Sequence, residues 1–196
     1  MAIMTAELPE LETPWLSAPK ATLRMVMLIG APGVGKSTVA EALARQCPLQ
    51  NVVLDGDSLA QTWPGGIDRK RLDLVERNLI ACAEGYRIWG AQYCFATWVV
   101  AHQQRLDMLG KRMRAKGIHL RVVALDAPAS VLVDRMMARP QTRFSPTDEN
   151  IDYLSSLSKR IRSLHHCELV DTTGKHFSSV ANDIAARVKE KSFWAM

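Results

Sequence analysis

No stretch of this 196-residue chain is apolar for long enough to cross a membrane. The longest runs, such as Met25 to Ile29 and Phe95 to Ala101, fall far short of the roughly 20 residues a spanning helix needs. The opening residues, MAIMTAELPELETPWL, lack a basic segment followed by an apolar one, so no secretory signal is read there. Cys47, Cys82, Cys94 and Cys167 are widely spaced and form no Cys-x-x-Cys pair. That argues against zinc and a disulfide framework, and for free thiols in a cytoplasmic protein. There is no long basic arm interleaved with aromatics, so nucleic acid is not the expected partner. The net charge of +5 favours phosphorylated ligands but is modest, and much of it sits in GKRMRAKG, Gly110 to Gly117, which reads as a solvated helix end.

What remains is an ordinary globular composition, 47% apolar and 23% charged, at a length that suits one domain. Residues 1–22 carry three prolines, several acids and no sustained period, and read as a tail before a domain spanning 23–196. From there apolar strands and amphipathic helices alternate. The strands are expected at Arg24–Ile29, Asn51–Asp55, Tyr93–Val100, Leu120–Asp126 and Cys167–Thr173. Between them, helices are expected at Lys36–Gln46, within Asp68–Gly90, from Gln103 to a C-cap at Gly117, and at Pro128–Arg139, with a last one at Ser178–Lys191. SPTDEN, from Ser145, reads as a turn. There is no internal repeat. The pattern predicts an α/β fold of three layers, with a five-stranded, mostly parallel sheet and helices on both faces.

GAPGVGKST, Gly30 to Thr38, contains G-x-x-x-x-G-K-[ST] between a buried strand and a helix. The glycines let backbone N–H groups converge on an anion, and the helix N-terminus adds its partial positive charge. Gly30, Gly33, Gly35, Lys36, Ser37 and Thr38 are the candidate phosphate binders; Lys36 can reach the β- and γ-phosphates and Ser37 can join a Mg²⁺ shell. A nucleoside triphosphate with magnesium, taken as ATP, is therefore expected, and the absence of an N-K-x-D base-reading motif argues against a GTPase.

The reaction is read from two further segments. VLVDRMMARPQTRF places Arg135 and Arg139 four apart on one helix face, with Arg143 beyond, where cations could meet a base and clamp a transferring phosphoryl group. VVLDGDSLAQTW places Asp55 and Asp57 at the carboxyl end of the second strand, facing the γ-phosphate region of a parallel sheet. Phosphoryl transfer to an alcohol needs an oriented acceptor whose proton is taken, and a carboxylate suits both tasks. Asp57 is read as base and acceptor anchor, and Asp55 as a support for Mg²⁺ or for the loop; the competing reading makes Asp57 only an N-cap. Thr97, Trp98 and Trp63 are candidate acceptor-site residues. Arg69, Arg71 and Arg77 read equally as contacts to an anionic acceptor and as solvated helix charges, and His165 and His166 as surface residues.

DGDSL, with a proline a few residues on, and LVDTTGKHFSSVANDIAARV resemble the corresponding segments of the chloramphenicol phosphotransferases, small P-loop kinases that phosphorylate an antibiotic hydroxyl. The wider LDGD pattern is similar to adenylylsulfate and gluconate kinases. The resemblance runs in order from Arg24 to Val188, and the phosphate loop is its specific part. It implies that Asp57 is the catalytic aspartate and that residues 135–150 form a lid, with Arg135 near the adenine and Arg139 near the phosphates. It further implies that Gly174 and Lys175 lie against the base. One departure stands out: CFATWVVAH ends the third strand without the acidic residues found there in chloramphenicol phosphotransferases, so acceptor contacts must differ. The favoured reading is an ATP- and Mg²⁺-dependent kinase acting on a small-molecule alcohol. A polynucleotide 5′-hydroxyl kinase and a nucleotide-dependent switch without an acceptor stay open. A homodimer is compatible with the sequence.

Overall fold

Residues 22–63, 68–139 and 145–189 are described by the computed structural model. Apart from Thr22, the expected tail lies outside them, as does Arg143. The strands are β1 (Leu23–Ile29), β2 (Asn51–Asp55), β3 (Tyr93–Trp98), β4 (Ile118–Asp126) and β5 (Glu168–Asp171). They form one sheet in the order β2-β3-β1-β4-β5, every pairing parallel. The helices are α1 (Lys36–Gln46), α2 (Arg69–Trp89), α3 (Gln103–Ala115), α4 (Ala129–Met137), α5 (Asp148–Arg162) and α6 (Phe177–Lys189). Five parallel strands covered by helices on both faces are the expected α/β architecture.

The reason for the sheet lies in β1 and β3. All of β1 but Arg24 is buried, and so are all six residues of β3. Strands covered on both faces have no polar side to show, hence LRMVMLI and YCFATW without alternation. The core closes over them with Val39, Ala40 and Leu43 of α1, Leu79 and Ala83 of α2, Leu109 and Met113 of α3, and Ile184 of α6. Helix α2 is stopped cleanly at both ends. Its N-cap Asp68 accepts from the Arg71 backbone N–H at 2.7 Å, and Gly90 ends it in the left-handed region at φ 105°.

Register sets the site. Thr97 of β3 stands beside both Leu28 of β1 and Asp55 of β2, so the carboxyl ends of the three strands finish on one level. β3 lies between β1 and β2, so Thr97 stands between Asp55 and the end of β1, which leads into the phosphate loop.

Several boundaries differ from the sequence reading; β1 and β4 begin earlier, at Leu23 and Ile118. β3 stops at Trp98, two residues short of Val100, and β5 is confined to Glu168–Asp171. Helix α4 ends at Met137, so Arg139 lies past its last turn. The larger correction is α5, a 15-residue helix where the sequence reading placed only a turn. Within SPTDEN, Thr147 is an N-cap whose hydroxyl accepts from the Asn150 N–H at 3.3 Å, and Asp148 and Glu149 favour the positive end of the helix dipole. Leu154, Leu157 and Ile161 are its buried stripe. Within the expected lid, residues 148–150 thus begin a packed helix, while 140–144 lie outside the described residues.

Candidate active site

The chain leaves β1 into Gly30 and turns back into α1 through Gly33 and Gly35. Gly33, at φ 86°, passes so close to α4 that an added Cβ would come within 2.8 Å of the Leu132 carbonyl oxygen. Gly35 is the N-cap of α1 and offers no side chain to it. The first N–H groups of α1 have no intrahelical acceptor, which makes Lys36, Ser37 and Thr38 natural anion binders. All three line a cavity of about 150 Å³, together with Gly33, Gly35, Asp55, Asp57, Thr97, Val99 and Arg139.

Inside this cavity the Lys36 ammonium donates to the carbonyls of Gly30 at 3.0 Å and Ala31 at 3.2 Å. Burial pushes its pKa down from 10.5 to about 8, against the opposing pull of Asp57 and then Asp55, with Arg139 adding to the lowering. The Ser37 hydroxyl donates to Asp55 Oδ2 at 3.1 Å, and the Asp57 backbone N–H donates to Asp55 Oδ1 at 2.9 Å. Asp55 therefore joins the phosphate loop to the acidic turn. Ser37 Oγ and the Asp55 carboxylate are hard oxygens side by side, a donor set that suits Mg²⁺ completed by phosphate and water.

Asp57 stands at the N-cap position of a 3₁₀ turn, Ser58–Ala60, yet its side chain makes no capping hydrogen bond. The N-cap reading is therefore not the arrangement seen: the carboxylate is exposed and lines the cavity. Directly beneath, the Gly56 N–H donates to the Thr97 carbonyl at 2.7 Å, and an added Cβ at Gly56 would lie 2.7 Å from Cδ1 of Trp98.

Two expected acceptor-site residues do not line this cavity. Trp98 is 3% exposed, packed under Gly56 as a floor to the acidic turn, and takes no part in the cavity lining. Trp63 is 95% exposed and is also outside that lining. Arg135 is not in the cavity either. Its guanidinium donates to Thr172 Oγ1 at 2.9 Å, to the Thr172 carbonyl at 2.7 Å and to the Val34 carbonyl at 3.4 Å, tying the phosphate loop to the end of β5. Gly174, at φ 65°, and Lys175 are exposed on the turn that follows Thr172. Arg69, Arg77, His165 and His166 are exposed. Sequence reasoning missed Val34 and Thr172 as partners of Arg135, and Val99 as a cavity wall. A larger groove of about 610 Å³, between α3 and the first half of β4, contains none of the candidate residues.

A Walker-type phosphate loop after the central strand of a β2-β3-β1-β4-β5 sheet, with an acidic turn ending β2, defines a P-loop protein of the small-kinase type. Residues 25–162 match the family described as AAA domain (AAA_33), and the chain belongs to that family. No curated protein matches it significantly. Among solved structures, the tunicamycin resistance protein of Deinococcus radiodurans is similar, with TM-score 0.67 and 19% identity over 85% of this chain and 95% of that one. A gluconokinase from Sinorhizobium meliloti gives TM-score 0.64 and 18% identity over 89% and 96%. The APS kinase CysC of Mycobacterium tuberculosis gives 0.62 and 17% over 87% and 99%. These likenesses establish a kinase-like P-loop fold. Among the described residues, no helix is long and apolar enough to cross a membrane.

Proposed function

We propose that this protein is an ATP-dependent phosphotransferase that moves a phosphoryl group to a hydroxyl of a small molecule. The observation that carries the reading is the company Asp57 keeps: an uncapped carboxylate in the same cavity as Lys36, Ser37, Asp55 and Arg139. In this reading ATP supplies the γ-phosphoryl group and is held by Gly30, Gly33, Gly35, Lys36, Ser37 and Thr38. Arg135 and Gly174 lie on the base side of the site. Ser37 and Asp55 hold Mg²⁺, whose contribution is charge neutralisation.

Asp57 orients the acceptor hydroxyl and accepts its proton as the new P–O bond forms and the bond to ADP breaks. Lys36 and Arg139 stabilise the charge that spreads over the phosphoryl oxygens. Acceptor contacts fall to Thr97 of β3 and to Val99 just past it, where the chain carries no acid. Asp57→Asn tests the assignment: it keeps the shape but not the basicity, so transfer should fall by about 10² to 10⁴ while Mg·ATP affinity, read by calorimetry, stays within a few-fold. Unchanged transfer by that variant would remove Asp57 as the base.

A further inference from the structure

The Asp57 side chain makes no capping hydrogen bond, so its aim is set by the backbone that carries it. That backbone is gripped from two sides. On the sheet side, Gly56 is bonded to the Thr97 carbonyl at 2.7 Å and seated on the Trp98 ring. On the helix side, two α2 side chains reach consecutive carbonyls of the 3₁₀ turn. Asn78 Nδ2 donates to Leu59 O at 2.6 Å, and Arg71 Nε donates to Ala60 O at 3.0 Å.

Arg71 and Asn78 are seven residues apart, about two helical turns, and so share one face of α2. The opposite face is itself anchored. Glu76, 2% exposed, accepts from Arg105 at 3.1 Å and from Arg112 at 2.7 Å, and Arg105 also bonds Asp73 at 3.1 Å. The helix is thus a fixed rail between α3 and the acidic turn.

We propose that Arg71 and Asn78 are positioning residues that hold the Ser58–Ala60 turn so that Asp57 meets the acceptor hydroxyl. The proposal rests on the phosphotransferase reading above. It also gives Arg71 a role outside its two sequence readings, with Nε as a strut to the Ala60 carbonyl. Removing either donor leaves a turn carbonyl without its helix partner and lets the turn drift. A displacement of about 1 Å at a reacting group costs on the order of 10²-fold in rate. The phosphate cradle, built by β1 and α1, is untouched.

The test compares wild type, Asn78→Ala, Arg71→Met, Arg71→Lys, Asp57→Asn and the double variant Asp57→Asn/Asn78→Ala. Turnover of Mg·ATP is measured with an acceptor from a hydroxylated panel, or with water where none reacts. Mg·ADP affinity and Tm are measured alongside. Asn78→Ala and Arg71→Met should lose about 10- to 100-fold in kcat, keep Mg·ADP affinity within threefold, and add almost nothing in the Asp57→Asn background. Arg71→Lys, which keeps a donor, should recover part of the loss even where Arg71→Met lowers Tm. Full additivity with Asp57→Asn, unchanged kcat in both single variants, or a loss confined to KM for the acceptor would overturn the proposal. If Asp57→Asn alone leaves turnover intact, the phosphotransferase reading itself fails, a separate result.

Discussion

Titrating Lys36 separates nucleotide affinity from stability, because the two should move in opposite directions. In the free protein its ammonium is buried against two carbonyls and its pKa lies at about 8 instead of 10.5. Bound phosphates return counter-charge and draw the pKa back up, so binding takes up a proton wherever the free protein has lost it. Below pH 8 the lysine is already charged and affinity is flat. Above it, affinity should fall by about tenfold per pH unit until the pKa of the complex is reached. Stability runs the other way. Between about 8 and 10.5 the unfolded chain holds the proton more tightly than the folded one, so this group's contribution to stability rises with pH, by at most about 3 kcal/mol across the window. Isothermal titration of Mg·ADP at pH 7 to 9.5, in buffers of different ionisation enthalpy, reads the affinity and the proton uptake together. Lys36→Met should bind weakly and without this pH dependence. A pH-independent wild-type affinity from 7 to 9.5 would refute the assignment of the depressed pKa to Lys36.

Two substitutions test the architecture around the site. Gly56→Ala should cost about 1–3 kcal/mol in urea unfolding and lower turnover, because the new methyl meets the Trp98 ring at 2.7 Å and the Thr97 carbonyl oxygen at 2.9 Å; wild-type stability would show that the ring yields. Glu76→Ala should cost about 3 kcal/mol, since it removes the buried partner of Arg105 and Arg112. A loss under about 1 kcal/mol would mean that the network behaves like exposed ion pairs.

The phosphate loop and the strands were legible because both are local. A buried parallel strand writes itself as an apolar run, and GAPGVGKST sits between one such run and a helix. The acidic turn was legible in outline, since a parallel sheet sends the carboxyl ends of β1 and β2 to one edge. Helix α5 was not, because its N-cap Thr147 and first-turn acids look like any polar turn until Leu154, Leu157 and Ile161 are counted with them. The roles of the tryptophans depended on burial that residue type does not set: Trp98 fell under Gly56, and Trp63 into solvent. The partners of Arg135 are 37 and 101 residues away in the chain, and Arg71 reaches Ala60, 11 residues away. Such contacts exist only once the sheet order is known.

The most direct test of the central claim is a ³¹P NMR screen of the full chain with Mg·ATP against hydroxylated metabolites, nucleosides, sugars, and aminoglycoside and chloramphenicol-type antibiotics. The account predicts a new phosphomonoester resonance with at least one of them, accompanied by ADP and lost in Asp57→Asn. ATP bound, or hydrolysed at the same rate in wild type and Asp57→Asn, with no phosphorylated small molecule across the panel, would contradict it. The 5′-hydroxyl ends of oligonucleotides would then be the next acceptors to try.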